Sequence, residues 1–428
     1  MGFPTWRGAG HRLRAAGSSA ILAAALVFGG LTQAVPVATA DSVGELVVQP
    51  VPGKTIVDVN RKFGTSTQLQ LVDTTQALVK SSAVRATLAA MQADAASSRP
   101  TVLWAEENVR ADDPRAQDDS GADPFCPPPP PDVPTEASAQ DDSGADQRCT
   151  RIIPVTGLLR YGNQYAVDRT DLDQAQRIER GRGQTVAVLD TQVDALHPAF
   201  LLHIKGGLDL VPNSLLTALP TQGRARGHGT FVAGIVRRAA PEAVVLPVRV
   251  LNDDGRGSTA QVAAGIRWAV KHGATVINMS LHTPTDTRVM REAVAYAQGK
   301  GVVLVAAYGN EGKNAPAAYP ADYPGVISVM ATDQHDARAS FSNYGRAGLV
   351  AAPGVNIISA YPTAMWAIGS GTSYAAPWVA GQAALVREAK PGLNPTQVLQ
   401  VIQNTSDNVS AANRGTNTVR INAYRSVR

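Results

Sequence analysis

Three residues of the kinds that make a serine hydroxyl nucleophilic stand at element ends in the second half of the chain. Asp190 directly follows the apolar run Thr185 to Leu189. His228 lies in Gly227-His228-Gly229-Thr230, just ahead of an apolar helix face made of Val232, Ile235 and Val236. Ser373 lies in Gly371-Thr372-Ser373-Tyr374-Ala375-Ala376-Pro377, a glycine turn that opens a long helix. A serine hydroxyl attacks poorly at neutral pH unless a neutral imidazole takes its proton and a carboxylate holds that imidazole in the right tautomer. In that arrangement Asp190 orients, His228 acts as base and Ser373 attacks. A helix starting at Ser373 would also aim backbone N–H groups and its positive dipole end at a developing oxyanion. The missing N–H of Pro377 costs little in a first turn. Taken singly, each residue has a plainer reading. An Asp after a strand is usually a turn former, a Ser after Gly-Thr a helix cap, and Asn310 within Gly-Asn-Glu-Gly a turn residue.

The elements that would bring such residues together are legible from about residue 151 onward. Thr185 to Leu189, Val244 to Val250, Thr275 to Met279, Val302 to Ala306 and Val326 to Met330 are continuous apolar runs of strand length, as expected where both faces of a parallel sheet are covered. Helical stretches lie between and after them, at Phe231 to Ala239, Ser258 to His272, Arg288 to Gln298 and Thr372 to Lys390. The pattern predicts an α/β fold with a doubly wound, mostly parallel sheet covered by helices, whose ligands bind at the carboxyl ends of the strands. Asp190, His228 and Ser373 each fall at an element end. His197, His203, His272 and His335 lack such context and read as surface residues, and Gly255 and Gly257 as a loop rather than a phosphate cradle.

The chain has 428 residues, 44% of them hydrophobic and 17% charged. That is enough for one large core or two ordinary ones and excludes general disorder. The net charge of +4 is unevenly placed: residues 1–40 carry +3, 41–110 carry 0, 111–150 carry −8 and 151–428 carry +9. No helix or stripe concentrates the basic excess, which argues against nucleic acid as a partner. Arg7, Arg12 and Arg14, the apolar run Ala20 to Leu31 and Ala38-Thr39-Ala40 make residues 1–40 a signal peptide, so a secreted, extracellular or periplasmic location is expected. No later stretch is long enough for a stable membrane span. Residues 41–110 read as a small α+β domain, with strands at Glu45 to Val51, Gln68 to Val72 and Thr101 to Ala105 and helices at Ile56 to Phe63 and Ser81 to Ala95. Seventy residues give a marginal core, so a partner surface is expected. In residues 111–150, Ala116 to Asp123 recurs unchanged as Ala139 to Asp146, a shift of 23 that also carries Cys126 onto Cys149. Ten acids and eight prolines make this an extended acidic, Pro-rich linker. In an oxidising compartment the two cysteines are expected to form a disulfide.

The strings VAVLDT at 186–191, GHGTFVAGI at 227–235, INMSL at 277–281, AAYGNEG at 306–312 and GTSYAAPWVAG at 371–381 resemble the subtilisin-like serine peptidases, in chain order Asp, His, Ser. The resemblance covers essentially all of 151–428. More weakly, 41–110 resembles the family's inhibitory propeptide, including its ending Val102-Leu103-Trp104-Ala105-Glu106-Glu107-Asn108. It implies a subtilisin-like catalytic domain at 151–428, preceded by a propeptide-like inhibitory and chaperone domain. It implies Asp190, His228 and Ser373 as triad and Asn310 as an oxyanion donor beside the Ser373 N–H. Ser280, Leu281, His282, Ala306, Ala307 and Tyr308 match the edges that grip an extended polypeptide substrate. The enzyme implied is a secreted serine endopeptidase, made as a zymogen, that acts through an acyl-enzyme with no cofactor. The partners implied are a polypeptide substrate and its own N-terminal domain. Calcium is common in the family, but no contiguous Asp-rich loop appears in the sequence. Departures are specific: Gln192 and His282 replace glycines, Tyr308 a small residue, Tyr374 a methionine and Phe231 a histidine. His282 either narrows the cleft or points to solvent. The departures motivate an alternative, a catalytically weak scaffold that binds peptides or protein partners.

Overall fold

The computed structural model describes residues 45–71, 75–81, 84–108, 110–112, 151–153, 157–211, 219, 223–413 and 417–428. The expected signal peptide, most of the expected linker and both cysteines, Cys126 and Cys149, lie outside the described residues.

The N-terminal segment alternates strands β1 (Glu45–Pro50), β2 (Ser66–Gln70), β3 (Ala77–Lys80) and β4 (Val102–Glu107) with helices α1 (Ile56–Phe63) and α2 (Val84–Ala95). The four strands form one antiparallel sheet in the order β2-β3-β1-β4. Sequence patterning missed β3, because Ala77-Leu78-Val79 is a three-residue apolar run too short to register as a strand. The alternation of a strand sends successive side chains to opposite faces, and both faces are used here. Leu46, Val48, Ala77, Val79, Val102 and Ala105 close a small core with Val59 of α1 and Met91 of α2. Val47, Leu69, Leu78 and Trp104 point the other way, into the core of the larger part of the chain. Helix α1 begins at a full capping box, Thr55 with Asp58, and ends at left-handed Gly64. A short strand β5 (Arg110–Asp112) follows, across the boundary at which the sequence suggested the linker begins.

The larger part starts with β6 (Arg151–Ile153) and three short helices, α3 (Gly157–Gly162), α4 (Tyr165–Arg169) and α5 (Leu172–Ala175). Then come β7 (Thr185–Asp190), β8 (Leu208–Asp209), α6 (His228–Ala239), β9 (Val244–Arg249), β10 (Arg256–Ser258), α7 (Thr259–Lys271) and β11 (Val276–Met279). They are followed by α8 (Arg288–Gly299), β12 (Val303–Ala307), β13 (Ile327–Thr332), β14 (Val350–Pro353), β15 (Ile357–Tyr361) and β16 (Met365–Gly369). Helices α9 (Thr372–Ala389) and α10 (Pro395–Thr405), strands β17 (Asp407–Asn408) and β18 (Val419–Arg420) and helix α11 (Ala423–Val427) complete the chain. A nine-stranded sheet runs β17-β18-β14-β13-β12-β11-β7-β9-β8, parallel except for the β17–β18 pair. Its central strands are buried on both faces, which is why they read as unbroken apolar runs. The sheet is built outward from β7, which pairs with β9 on one side and β11 on the other. The carboxyl end of β7 is therefore the switch point where such folds open a crevice.

Asp94, in the last turn of α2, ties the N-terminal sheet to its helices. It accepts from the N–H groups of Thr101 (2.6 Å) and Val102 (2.8 Å) and pairs with Lys62. Burial pushes this carboxyl up, but the Lys62 ammonium and the two N–H donors outweigh it and hold it below the ordinary range. A folded value below the unfolded one, about 3.9, gives stability that is present above it and lost as pH falls through the folded value. Asp94→Asn is expected to cost about 1–3 kcal/mol at pH 7 and progressively less as the pH is lowered from neutral to acid. Urea unfolding across this pH range, followed by tryptophan fluorescence, checks this.

Candidate active site

Strand β7 ends at Asp190, and its carboxylate is buried. Its Oδ1 accepts the N–H of Thr191 (2.7 Å) and lies 2.7 Å from His228 Nδ1. An acceptor on Nδ1 places the ring proton there and leaves Nε2 as the lone-pair nitrogen of the neutral imidazole. His228 is also buried and is the first residue of α6. Its position depends on Gly229, whose N–H donates to Thr191 Oγ1 at 3.0 Å. A Cβ at residue 229 would stand 2.3 Å from the Thr191 carbonyl oxygen, so only glycine lets α6 dock this closely on the end of β7.

Helix α9 packs along α6 and brings Ser373, in its first turn, to the same crevice. The ring of the next residue, Tyr374, has its centroid 4.2 Å from that of Phe231 and 5.6 Å from that of His228. The two departures Tyr374 and Phe231 therefore pack on each other as a wedge behind the imidazole. Ser373 Oγ is fully buried and has no hydrogen-bond partner among the described residues. Pro377 lies inside α9 and not in its first turn as expected, so the Ser373 carbonyl lacks the helical N–H that would otherwise reach it; it accepts from Ser280 Oγ (2.8 Å), whose oxygen in turn takes the Asn278 amide N–H (3.0 Å).

Asn310 follows β12 and reaches the same turn. Its Oδ1 accepts both the N–H (2.9 Å) and the hydroxyl (2.8 Å) of Thr372. With the carbonyl end fixed there, the NH₂ end is the one left to face the crevice. The point a Cβ would occupy at Gly371 lies 3.7 Å from Asn310 Nδ2 and 3.7 Å from Ser373 N. Two potential donors thus lie near one point in the turn before a buried hydroxyl; donors aimed at an oxygen stabilise negative charge on it.

The residues singled out as substrate edges lie at the carboxyl ends of two neighbouring strands, β11 and β12. Ser280, Leu281 and His282 follow the end of β11, while Ala306 and Ala307 end β12 and Tyr308 follows it. All six side chains are buried. Tyr308 donates to the Pro316 carbonyl (3.1 Å), and burial pushes its phenol up to about 12. His282 is only 4% exposed, so it does not point to solvent; its Nε2 lies 3.3 Å from Glu311 Oε1. Gln192 accepts from Arg249 (3.1 Å), the residue opposite Asp190 in the β7–β9 register. Arg249 also pairs with Asp209 and Asp253.

Among the other histidines, His197 departs from the surface reading and is 1% exposed. Its Nδ1 accepts from Ala199 N–H (3.1 Å), which leaves Nε2 to donate to the Met365 carbonyl (2.8 Å). Burial pushes its pKa down, so it is a neutral core residue. Among the described residues no group of three His, Cys, Asp or Glu side chains is placed to hold a metal ion.

Sequence reasoning expected a partner surface on the N-terminal segment but did not name the residues through which it meets this half of the chain. Glu106 accepts from the N–H groups of Arg288 (2.8 Å) and Val289 (2.7 Å), capping α8. Burial pushes the Glu106 carboxyl up, and the two N–H donors offset only part of that. Asn108 Oδ1 accepts from Ala260 N–H (3.2 Å) at the start of α7. The Arg288 guanidinium stacks 4.6 Å over Trp104. Strand β5 then pairs antiparallel with β10, Ala111 opposite Gly257. The only hint in the sequence was the string Glu106-Glu107-Asn108 at the end of a module too small to stand alone.

Residues 181–420 match the model of the subtilase family. Thermitase of Thermoactinomyces vulgaris is 41% identical over 274 residues, 62% of this chain and 95% of that protein. Subtilisin BL of Lederbergia lenta is 40% identical over 242 residues, 54% of this chain and 87% of that one. The crystal structure of a cold adapted subtilisin-like serine proteinase superposes with a TM-score of 0.53 at 33% identity, covering 57% of this chain and 90% of that one. The chain belongs to the subtilase family and is a subtilisin-like serine endopeptidase. Its substrate is accordingly polypeptide.

The tight seat of α6 on β7 gives a direct test. Gly229→Ala would drive a methyl into the Thr191 carbonyl and is expected to cost about 1–3 kcal/mol, together with most of the peptide hydrolysis. Thermal unfolding and an activity assay on the same preparation read both effects.

Proposed function

We propose that the chain is a secreted endopeptidase made as a zymogen, with Asp190, His228 and Ser373 as its triad and Asn310 as an oxyanion donor. The observation that carries this is the buried 2.7 Å contact between Asp190 and His228 Nδ1, set in one crevice with a buried serine hydroxyl at a helix start. In the reaction, Ser373 Oγ attacks the scissile carbonyl carbon while His228 Nε2 takes its proton. The resulting oxyanion lies between Ser373 N–H and Asn310 Nδ2. On collapse the carbon–nitrogen bond breaks, the imidazolium returns its proton to the leaving amine, and an acyl-enzyme remains. Water, deprotonated by the same imidazole, releases it. Ser280, Leu281, His282, Ala306, Ala307 and Tyr308 supply the walls and backbone edges for the substrate. The three departures that motivated a non-catalytic scaffold have structural employment: Gln192 with Arg249, Tyr308 with Pro316 and His282 with Glu311.

The zymogen reading rests on residues 45–112. One face of their sheet shares a core with α7 and α8, Glu106 and Asn108 cap those two helices, and β5 covers the β10 edge. In this reading the segment, anchored by these contacts, competes with substrate chains for the catalytic domain. Export rests on residues 1–40 of the sequence. Among the described residues no helix is long and apolar enough to cross a membrane.

Ser373→Ala is expected to abolish peptide hydrolysis and self-processing while leaving the fold intact, since it removes one buried hydroxyl without a partner. N-terminal sequencing of the exported wild type and variant, beside labelling with a fluorophosphonate probe, is the test. Undiminished hydrolysis in the variant would end the reading. For the zymogen, Glu106→Ala and Asn108→Ala each remove a helix cap worth about 1 kcal/mol. Each should therefore weaken the hold about fivefold and shorten the lag before full activity. An unchanged lag in the double variant would exclude inhibition through these caps.

A further inference from the structure

The turn that carries Asn310 is held by a residue that touches neither Ser373 nor His228. Asn343 is fully buried. Its Nδ2 donates to the carbonyl of Tyr308 (2.8 Å) and to Glu311 Oε2, its own N–H donates to the carbonyl of Gly309 (3.1 Å), and its Oδ1 accepts from Lys313 N–H (2.8 Å). Every hydrogen of its amide and its backbone is thus spent on residues 308–313, on both sides of Asn310. Buried, fully satisfied networks of this kind fix one geometry, because any alternative leaves a polar group without a partner.

Glu311 is the second point of the clamp. Its Oε2 is held by Asn343, and its Oε1 faces His282 Nε2 across 3.3 Å. Burial pushes this carboxyl up, but the His282 imidazole and the Asn343 amide outweigh it and keep it below the ordinary carboxylate range. It therefore stays an anion, bonded through Oε2 to Asn343 and facing the imidazole with Oε1. His282 stands on the strand end opposite, after β11, so the contact bridges the two walls that flank the crevice. Gly309, between them, has φ +100°, and a Cβ there would stand 2.5 Å from Asn343 Nδ2 and 2.7 Å from Glu311 Oε2. The clamp closes directly over its Cα, which only glycine allows.

We propose that Asn343, with the His282–Glu311 contact, is a positioning element for Asn310. It sets where Nδ2 stands relative to Ser373 N, while Thr372 sets which way the amide faces. The proposal rests on the reading of Asn310 as oxyanion donor. Since an oxyanion donor acts only as charge develops, a clamp that works through it affects kcat and leaves KM nearly unchanged.

The test is a double-mutant cycle in peptide hydrolysis by the intact chain. Asn310→Ala is expected to lower kcat about a hundredfold or more, the loss measured for such a donor in subtilisin. Asn343→Ala is expected to lower kcat about tenfold or more with KM within about twofold, and to have no further effect in the Asn310→Ala background. His282→Ala is expected to show the same coupling on a smaller scale. His282→Gln, which keeps a donor toward Glu311, should restore most of the rate. The histidine pair of variants carries the test if Asn343→Ala does not fold. Equal fold-losses in both backgrounds, or an unchanged kcat in the single variants, would overturn the proposal while leaving the catalytic reading intact. A folded wild type that hydrolyses nothing, or an Asn310→Ala variant of full activity, would instead remove the reading on which it stands.

Discussion

A carboxylate buried at the end of a parallel strand and bonded to a buried imidazole constrains almost everything else in this molecule. A charged group taken out of water is tolerated only with close hydrogen-bonding partners. Asp190 finds them in the N–H of Thr191 and in His228. To bring His228 there, α6 must begin against the end of β7, which requires Gly229. Helix α9 must in turn lie along α6, which brings Ser373 and Tyr374 to the crevice. The sheet order, with β7 at the switch point, opens the space in which these ends meet. The arrangement is therefore a consequence of packing one buried polar pair, and the apolar core is built around it.

The strands and helices that cross the core were legible because their burial on both faces leaves an unambiguous signal. Thr185 to Leu189, Val302 to Ala306 and Thr372 to Lys390 fall within a residue or two of β7, β12 and α9. Elements at edges carry less sequence information. β10 is Arg-Gly-Ser, which no propensity marks as a strand, and it exists as one because β5 pairs with it. The start of α10 had a readable signal that sequence reasoning passed over: Asn394 and Gln397 form a capping box around Pro395.

Within the site, Asp190, His228 and Ser373 could be singled out as candidates by their places at element ends, and Asn310 by the family resemblance, whereas the residues that hold them could not. Thr372 and Asn343 act through backbone and amide hydrogen bonds whose partners lie 62 and 35 residues away along the chain, and nothing local marks such pairings. His197 shows the same limit from the other side. It resembles any surface histidine in sequence and is buried because Ala199 and Met365 present complementary backbone groups. His282 looked like an intruder in a glycine position, and its meaning depended on a carboxylate 29 residues away that the chain folds against it.

The two caps supplied by the N-terminal segment differ in what they leave behind. Helix α7 owns a complete capping box, Ser258 with Gln261, so Asn108 only adds to a start that is already closed. Helix α8 has Thr287 at its N-cap with no side-chain cap bond, and its first N–H groups are met by Glu106. In an enzyme freed of residues 45–112, as the zymogen reading proposes, α7 would keep its first turn intact, while α8 would hand the N–H groups of Arg288 and Val289 to water. Such an enzyme would carry one helix whose opening turn had been finished by a residue it no longer possessed. That turn would be the softest part of the face on which the segment sat.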